Sequence, residues 1–255
     1  MGEALLTGES AIKPVENAGI LKHFSHLAGL SNDVIRTSTT KCGVNLGVIL
    51  QLEADIGLWE ARMSGRPESG QLADARRELG FATYAACSGL YRMAFGGVRT
   101  FLELSFAAVY FSANELHRRQ WVSDRRDFSW SDALDENSGV LSKPFMREFF
   151  EHDVREAEMY AAMAARAYRH CSQFVHGKLA VTEALPRDIS FSEVALDDWV
   201  TTARNAAQAV LFLLYGRYSA DFLPGDNGQL GATLEHSFSH LKSVRTALGL
   251  PLEER

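Results

Sequence analysis

From Ser142 to Gly177 the chain reads SKPFMREFFEHDVREAEMYAAMAARAYRHCSQFVHG, with one proline at the third position and no glycine before the last. Ser142 can cap a helix, Pro144 suits its first turn, and Gly177 is a natural left-handed stop. The pattern predicts one long helix over 142–177. A chain that commits so long a segment to helix must bury that helix against others. The rest of the sequence agrees. Only six prolines occur in 255 residues, and Ala and Leu are abundant. Strict apolar–polar alternation is missing, apart from a few residues near Lys178–Thr182. The expectation is an all-α fold: a single helical bundle with long helices.

Other helices can be placed by their punctuation. One is expected from Ser31, a possible cap, to about Met63, where SGRPESG (Ser64–Gly70) stops it. A second helical region covers Gln71 to about Arg119, with FGG (Phe95–Gly97) marking a kink or a close helix crossing. SDRRDFSWSDALDENSG reads as a loop with a short helix, and LPRDIS as a loop. Helices are expected at about Ser192–Ala220 and Gln229–Leu248, split by LPGDNG. Residues 1–30 are weakly patterned and read as an N-terminal arm or short helical cap, before one helical domain over 31–255.

A net charge of −6 excludes the broad basic field that holds nucleic acid non-specifically, so any such contact needs a local patch. Three scattered cysteines, Cys42, Cys87 and Cys171, form neither a disulfide framework nor a CxxC metal site. The longest apolar runs, SFAAVYF and AVLFLLY, are too short to span a bilayer, and MGEALLTGES lacks the features of a secretory signal. A soluble, cytoplasmic protein with no membrane partner is expected. No phosphate-cradling glycine loop, dinucleotide fingerprint or nucleophile elbow is present.

Within YRHCSQFVHG (Tyr168–Gly177), Arg169 and His176 lie seven residues apart, nearly two full turns, and so share a helix face. Ser172 and Gln173 complete that face, and Ala162 and Ala165 continue it backward. The other side carries an apolar stripe of Ala157, Ala161, Ala164, Tyr168, Cys171, Phe174 and Val175, which should pack into the bundle. Alanines on the motif face would let another helix come close. A histidine titrating near neutrality can move protons, and a guanidinium beside it can neutralise a developing phosphorane. The pair suits cleavage of RNA by its own 2′-hydroxyl, which needs no metal or other cofactor.

Arg169, six residues and His176, with polar His170 next to the arginine and late in a long helix, resembles the R-x(4–6)-H motif of HEPN-superfamily ribonucleases. The resemblance implies an all-helical bundle and a metal-independent endoribonuclease, acting as a toxin or antiviral-defence effector. It implies a homodimer in which two motifs face each other. RNA would be the substrate, and an antitoxin or larger defence complex a possible partner. Arg169, His176 and His170 are then the catalytic candidates, with Ser172 and Gln173 contacting RNA. Many such bundles are catalytically silent, so a non-catalytic interaction or dimerisation module is the alternative. A second match, Arg147 and His152, has Glu148 after its arginine and lies only one turn into the expected helix.

HRRQWVSDRRDFSW interleaves Arg118, Arg119, Arg125 and Arg126 with Trp121, Phe128 and Trp130, as single-strand RNA binders do. Acidic Asp124 and Asp127 equally suit a loop that pairs its own charges. Arg99 and Glu103, at i, i+4 in an apolar run, read as an intrahelical pair or a polar group near the site. His236 and His240 have a spacing that can hold a metal but lack an accompanying carboxylate.

Overall fold

Eight consecutive residues, Ala209–Gly216, are buried, so two full turns of one helix meet no water on any side. This helix is α9 (Glu193–Phe222) of a computed structural model that describes residues 17–150 and 154–251. Ser192, where the helix was expected to begin, caps it, its Oγ accepting from the Ala195 N–H at 3.3 Å. Around α9 pack α1 (Asn17–Arg62), α3 (Tyr91–Ala113) and α7 (Val154–Val175). The hairpin partner of α3, α2 (Ser69–Cys87), lies against α1. Shorter helices complete the chain: α4 (Glu115–Val122), α5 (Trp130–Ala133), α6 (Lys143–Phe149), α8 (Leu179–Thr182), α10 (Gln229–Phe238) and α11 (Lys242–Ala247). The fold is all-α, with no strand among the described residues.

The helix boundaries differ from expectation where packing overrides local pattern. Helix α1 begins by Asn17, so residues 17–30 of the expected arm are its first turns; residues 1–16 lie outside the described residues. Val34 is the first buried residue of α1, and the turns before it stand clear of the bundle with Ile20, Leu21 and Phe24 exposed. A kink at Cys42 (φ −120°, ψ 17°) bends the helix where it joins the core. The region Gln71–Arg119 is interrupted at Ser88–Leu90, with Gly89 at φ +81°, rather than at FGG.

Gly97 instead makes the close crossing. A Cβ there would lie 2.8 Å from the Ala82 Cβ, so α2 and α3 approach as near as two backbones with an alanine between them allow. The expected helix 142–177 is split at Phe150, which is extended (φ −157°, ψ 90°). Phe149 and Phe150 have separate targets, the Arg217 guanidinium 4.2 Å from one ring and the Tyr215 ring 4.6 Å from the other. Adjacent positions on a continuous helix diverge by ~100° and could not serve both. The last helical stretch likewise breaks at Ser239–Leu241 into α10 and α11, and Lys178–Thr182 holds the short helix α8 rather than strand.

One buried carboxylate ties the base of the bundle. Glu68, in the α1–α2 turn, accepts from the Tyr218 hydroxyl at 3.0 Å and the Arg66 Nε at 2.8 Å. Burial, with Glu68 beside it, pushes the Tyr218 hydroxyl far above its ordinary pKa, so it stays a donor.

Gly97→Val should cost about 1–3 kcal/mol through overpacking against Ala82. In thermal unfolding that is a fall of about 2–4 °C per kcal/mol. An unchanged midpoint would mean that the α2–α3 crossing is not tight.

Candidate functional site

Helix α7 packs against α3 and α9 through Ala157, Tyr160, Ala164, Ala167, Cys171 and Phe174, all buried. This matches the expected core stripe at Ala157, Ala164, Cys171 and Phe174. Ala161 and Tyr168 are only partly buried, and Val175 is exposed. The thiol of Cys171 is pushed up to about 12, chiefly by burial, and is no nucleophile.

The opposite side of α7 is open. Arg169 is exposed, Gln173 is half-buried beside it, and His176 is exposed just past the last helical turn. Neither the Arg169 guanidinium nor the His176 ring has a hydrogen-bond or ion-pair partner among the described residues. The helix end does not need His176 as a cap. The His176 N–H donates to the Ser172 carbonyl at 3.0 Å, Gly177 to Phe174 at 3.1 Å and Lys178 to Gln173 at 3.0 Å. Gly177, at φ +63°, makes this reversal possible. Arg92 of α3 completes the closure, its Nε reaching the Phe174 carbonyl at 3.0 Å and Nη2 the Val175 carbonyl at 3.2 Å. With the terminal carbonyls satisfied, the imidazole is left to solvent.

His170 is placed elsewhere. Its Nε2 lies 2.9 and 3.0 Å from the two carboxylate oxygens of Asp198 on α9, and its ring meets Phe95 and Phe174 edge-on. The Asp198 hydrogen bond raises its pKa, against partial burial. This histidine locks α7 to α9 and does not join Arg169 and His176. Ser172 spends its hydroxyl on the Tyr168 carbonyl at 2.7 Å.

The alanine face meets an open groove of about 640 Å³ rather than a helix. Ala161, Ala162 and Ala165 floor it, and segments 134–137 and 141–143 wall it. Lys143 and Glu158 close one edge with an ion pair at 2.7 Å.

The loop arginines pair locally. Arg118 and Arg119 both engage Glu115, Arg126 engages Asp132 at 2.9 Å, and Arg125 donates to the Ser123 hydroxyl at 2.7 Å. Two guanidiniums on one carboxylate hold the Glu115 pKa at about 2. Their aromatic neighbours anchor the loop: Trp121 against Phe111, Phe128 against Tyr110 and Phe111, Trp130 against Phe106 and Tyr168. Tyr168 also donates to Glu103 at 2.8 Å and accepts from Arg99 at 2.7 Å, so the Arg99–Glu103 pair is part of this anchor. His236 is paired to buried Asp55 at 3.2 Å, and no cluster of three or more potential metal ligands occurs among the described residues. Arg147 is exposed on α6; its motif partner His152 lies outside the described residues.

Arg166, one turn before Arg169, is the residue that motif reading passed over. It is exposed and unpartnered among the described residues, and the i, i+3 spacing alone could have flagged it.

No protein-family model matches the chain, and no curated protein or solved structure matches it.

The pKa of His170 is raised from 6.5 in the fold, so its pair with Asp198 stabilises fully below that value and fades as pH rises through the raised one. Asp198→Asn should therefore lower the melting temperature more at pH 5.5 than at pH 8.5. An equal loss at both would show that the pair is not charge-assisted.

Proposed function

We propose that the chain is a metal-independent endoribonuclease of the HEPN type. The reading is carried by one observation: Arg169 and His176 stand exposed and unpartnered on one side of α7, at a helix end whose carbonyls are satisfied without them. A structural arginine and histidine at a helix terminus would be expected to spend their hydrogen bonds there.

In the reaction, the RNA 2′-hydroxyl attacks the adjacent phosphorus as its proton leaves to a base. The P–O5′ bond breaks, giving a 2′,3′-cyclic phosphate and a 5′-hydroxyl that takes up a proton. His176 moves a proton, and Arg169 balances the charge of the phosphorane. One base and one acid are required, and each chain supplies one such histidine on this face. The proposal therefore includes a second copy that brings the other motif, with Gln173 between the two charged groups and His170 holding α7 in place. A role as a toxin or defence effector, held in check by an antitoxin or a larger complex, follows from the family resemblance alone.

The second reading, a non-catalytic module that docks on another protein, draws on the apolar Ile20, Leu21 and Phe24 that α1 exposes beyond the bundle.

Purified protein should cut RNA in the presence of EDTA. His176→Ala should slow the cut by about 10²–10⁴ and Arg169→Ala by about 10²–10³. Cleavage that persists in both variants overturns the site. RNA left intact by the wild type, with a protein complex that Phe24→Glu disperses, favours the second reading.

A further inference from the structure

About half of the arginines among the described residues face a nearby acid. Arg36 faces Asp33, Arg62 faces Asp226, Arg66 faces Glu68 and Asp221, Arg76 faces Glu53 and Glu60, and Arg77 faces Asp74. In a chain of net charge −6, acids are plentiful. The outer side of α7 gathers several of the arginines that do not face one. Arg155, Arg166 and Arg169 are all exposed, and none has an ion-pair or hydrogen-bond partner among the described residues.

At ~100° per residue the three fall within a sector of about 60°, with Ala162 and Gln173 inside it and His176 at its edge. They make one straight stripe. By the helical rise, Arg166 and Arg169 are about 4.5 Å apart along the axis, and Arg155 lies about 16 Å before Arg166. Among the described residues, the acid on the flank of the stripe, Glu158, is engaged by Lys143.

This arrangement costs stability. Like charges at i, i+3 repel by a few tenths of a kcal/mol, and Arg155 sits in the first turn, where the helix dipole disfavours a cation. No partner among the described residues offsets either term. A linear polyanion would offset both, because its charges repeat along a line as the arginines do. The flanking alanine at 162 leaves the backbone of α7 open to such a strand.

We infer that Arg155 and Arg166 form a phosphate track along α7 that delivers single-stranded RNA to Arg169 and His176. The assignment rests on the ribonuclease reading for the identity of the polyanion. It moves RNA contact from the paired loop arginines to the helix that carries the motif. Phosphate contacts position a strand without reading its bases, so the track is indifferent to sequence.

The test is binding of a fluorescently labelled, unstructured RNA 12-mer to the His176→Ala protein, which leaves the probe uncut, by anisotropy at several salt concentrations. Arg166→Glu and Arg155→Glu should each weaken binding by about tenfold at low salt. Each lost phosphate contact should flatten the slope of log K against log salt by about 0.7. Arg77→Ala, a cation lost from α2, should change nothing, and Arg166→Lys should keep most of the affinity. Unchanged affinity and slope in the Arg166 and Arg155 variants overturns the track. Inorganic polyphosphate that displaces RNA with equal affinity per charge also overturns it, leaving a generic anion surface. If RNA binds through Arg166 but the wild type never cuts it, the track stands and the ribonuclease reading falls. If RNA is cut and the Arg166 and Arg155 variants cut it at the same KM, the reading stands and the track falls.

Discussion

The burial of the Ala209–Gly216 turns of α9 on every side is the constraint from which the rest follows. Turns with no wet face cannot be stabilised by one partner; they need a ring of them. Here the ring is α1, α3 and α7, with α6 and α2 filling in. Of these, α3 is itself buried all round from Ser105 to Phe111, while α7 gives the core one stripe and keeps an open face. On α7 the stripe sets Ala157, Ala164, Ala167 and Cys171 between the larger Tyr160 and Phe174, and His170 with Asp198 pins its rotation. That rotation turns Arg166, Arg169 and His176 outward together. The polar face of α7 is positioned by a core residue set that never touches it.

A sharper line separates the charges that hold this protein together from those that do not. The arginines of the 118–126 segment, rich in aromatics and attractive as a nucleic-acid surface, are each spent within a few residues of their own position. His170 is likewise spent, on Asp198 of α9, and Ser172 on the Tyr168 carbonyl. Side chains whose donors are already used would have to give up one bond to form another, and the net gain from such an exchange is small. Arg155, Arg166, Arg169 and His176 have no partner among the described residues to give up. Reading a site by unspent donors therefore selects a different set of residues than reading it by composition.

The long helices, most of the core stripe of α7, the cap at Ser142 and the helix start at Ser192 were legible because each depends on residues a few positions apart. The stop at Gly177 was legible for the same reason. The break at Phe150 was not, because it is set by where Tyr215 and Arg217 lie on another helix. Gly97 announced a special position, yet only the opposing Ala82 shows that it serves contact rather than a bend. Of the candidate site, the shared face of Arg169 and His176 followed from helical period alone. The diversion of His170 to Asp198, twenty-eight residues on, required the packing of α7 on α9. Arg92 was equally hidden: it lies eighty-two residues from the carbonyl it caps.

The free turns of α1 have a different kind of support from the rest of the chain. From Asn17 to Val34 they extend about 25 Å with little tertiary contact, a length at which a helix on its own is marginal in water. Such a helix persists because its nucleus is already in place: the buried turns from Val34 onward have fixed the first dihedrals, and each further residue adds only a propagation step. The arm is thus a crystal grown on a seed. Its length at any moment is a balance along the helix rather than an all-or-none property of the fold, and it shortens from the tip inward as temperature rises while the bundle beneath it stays intact.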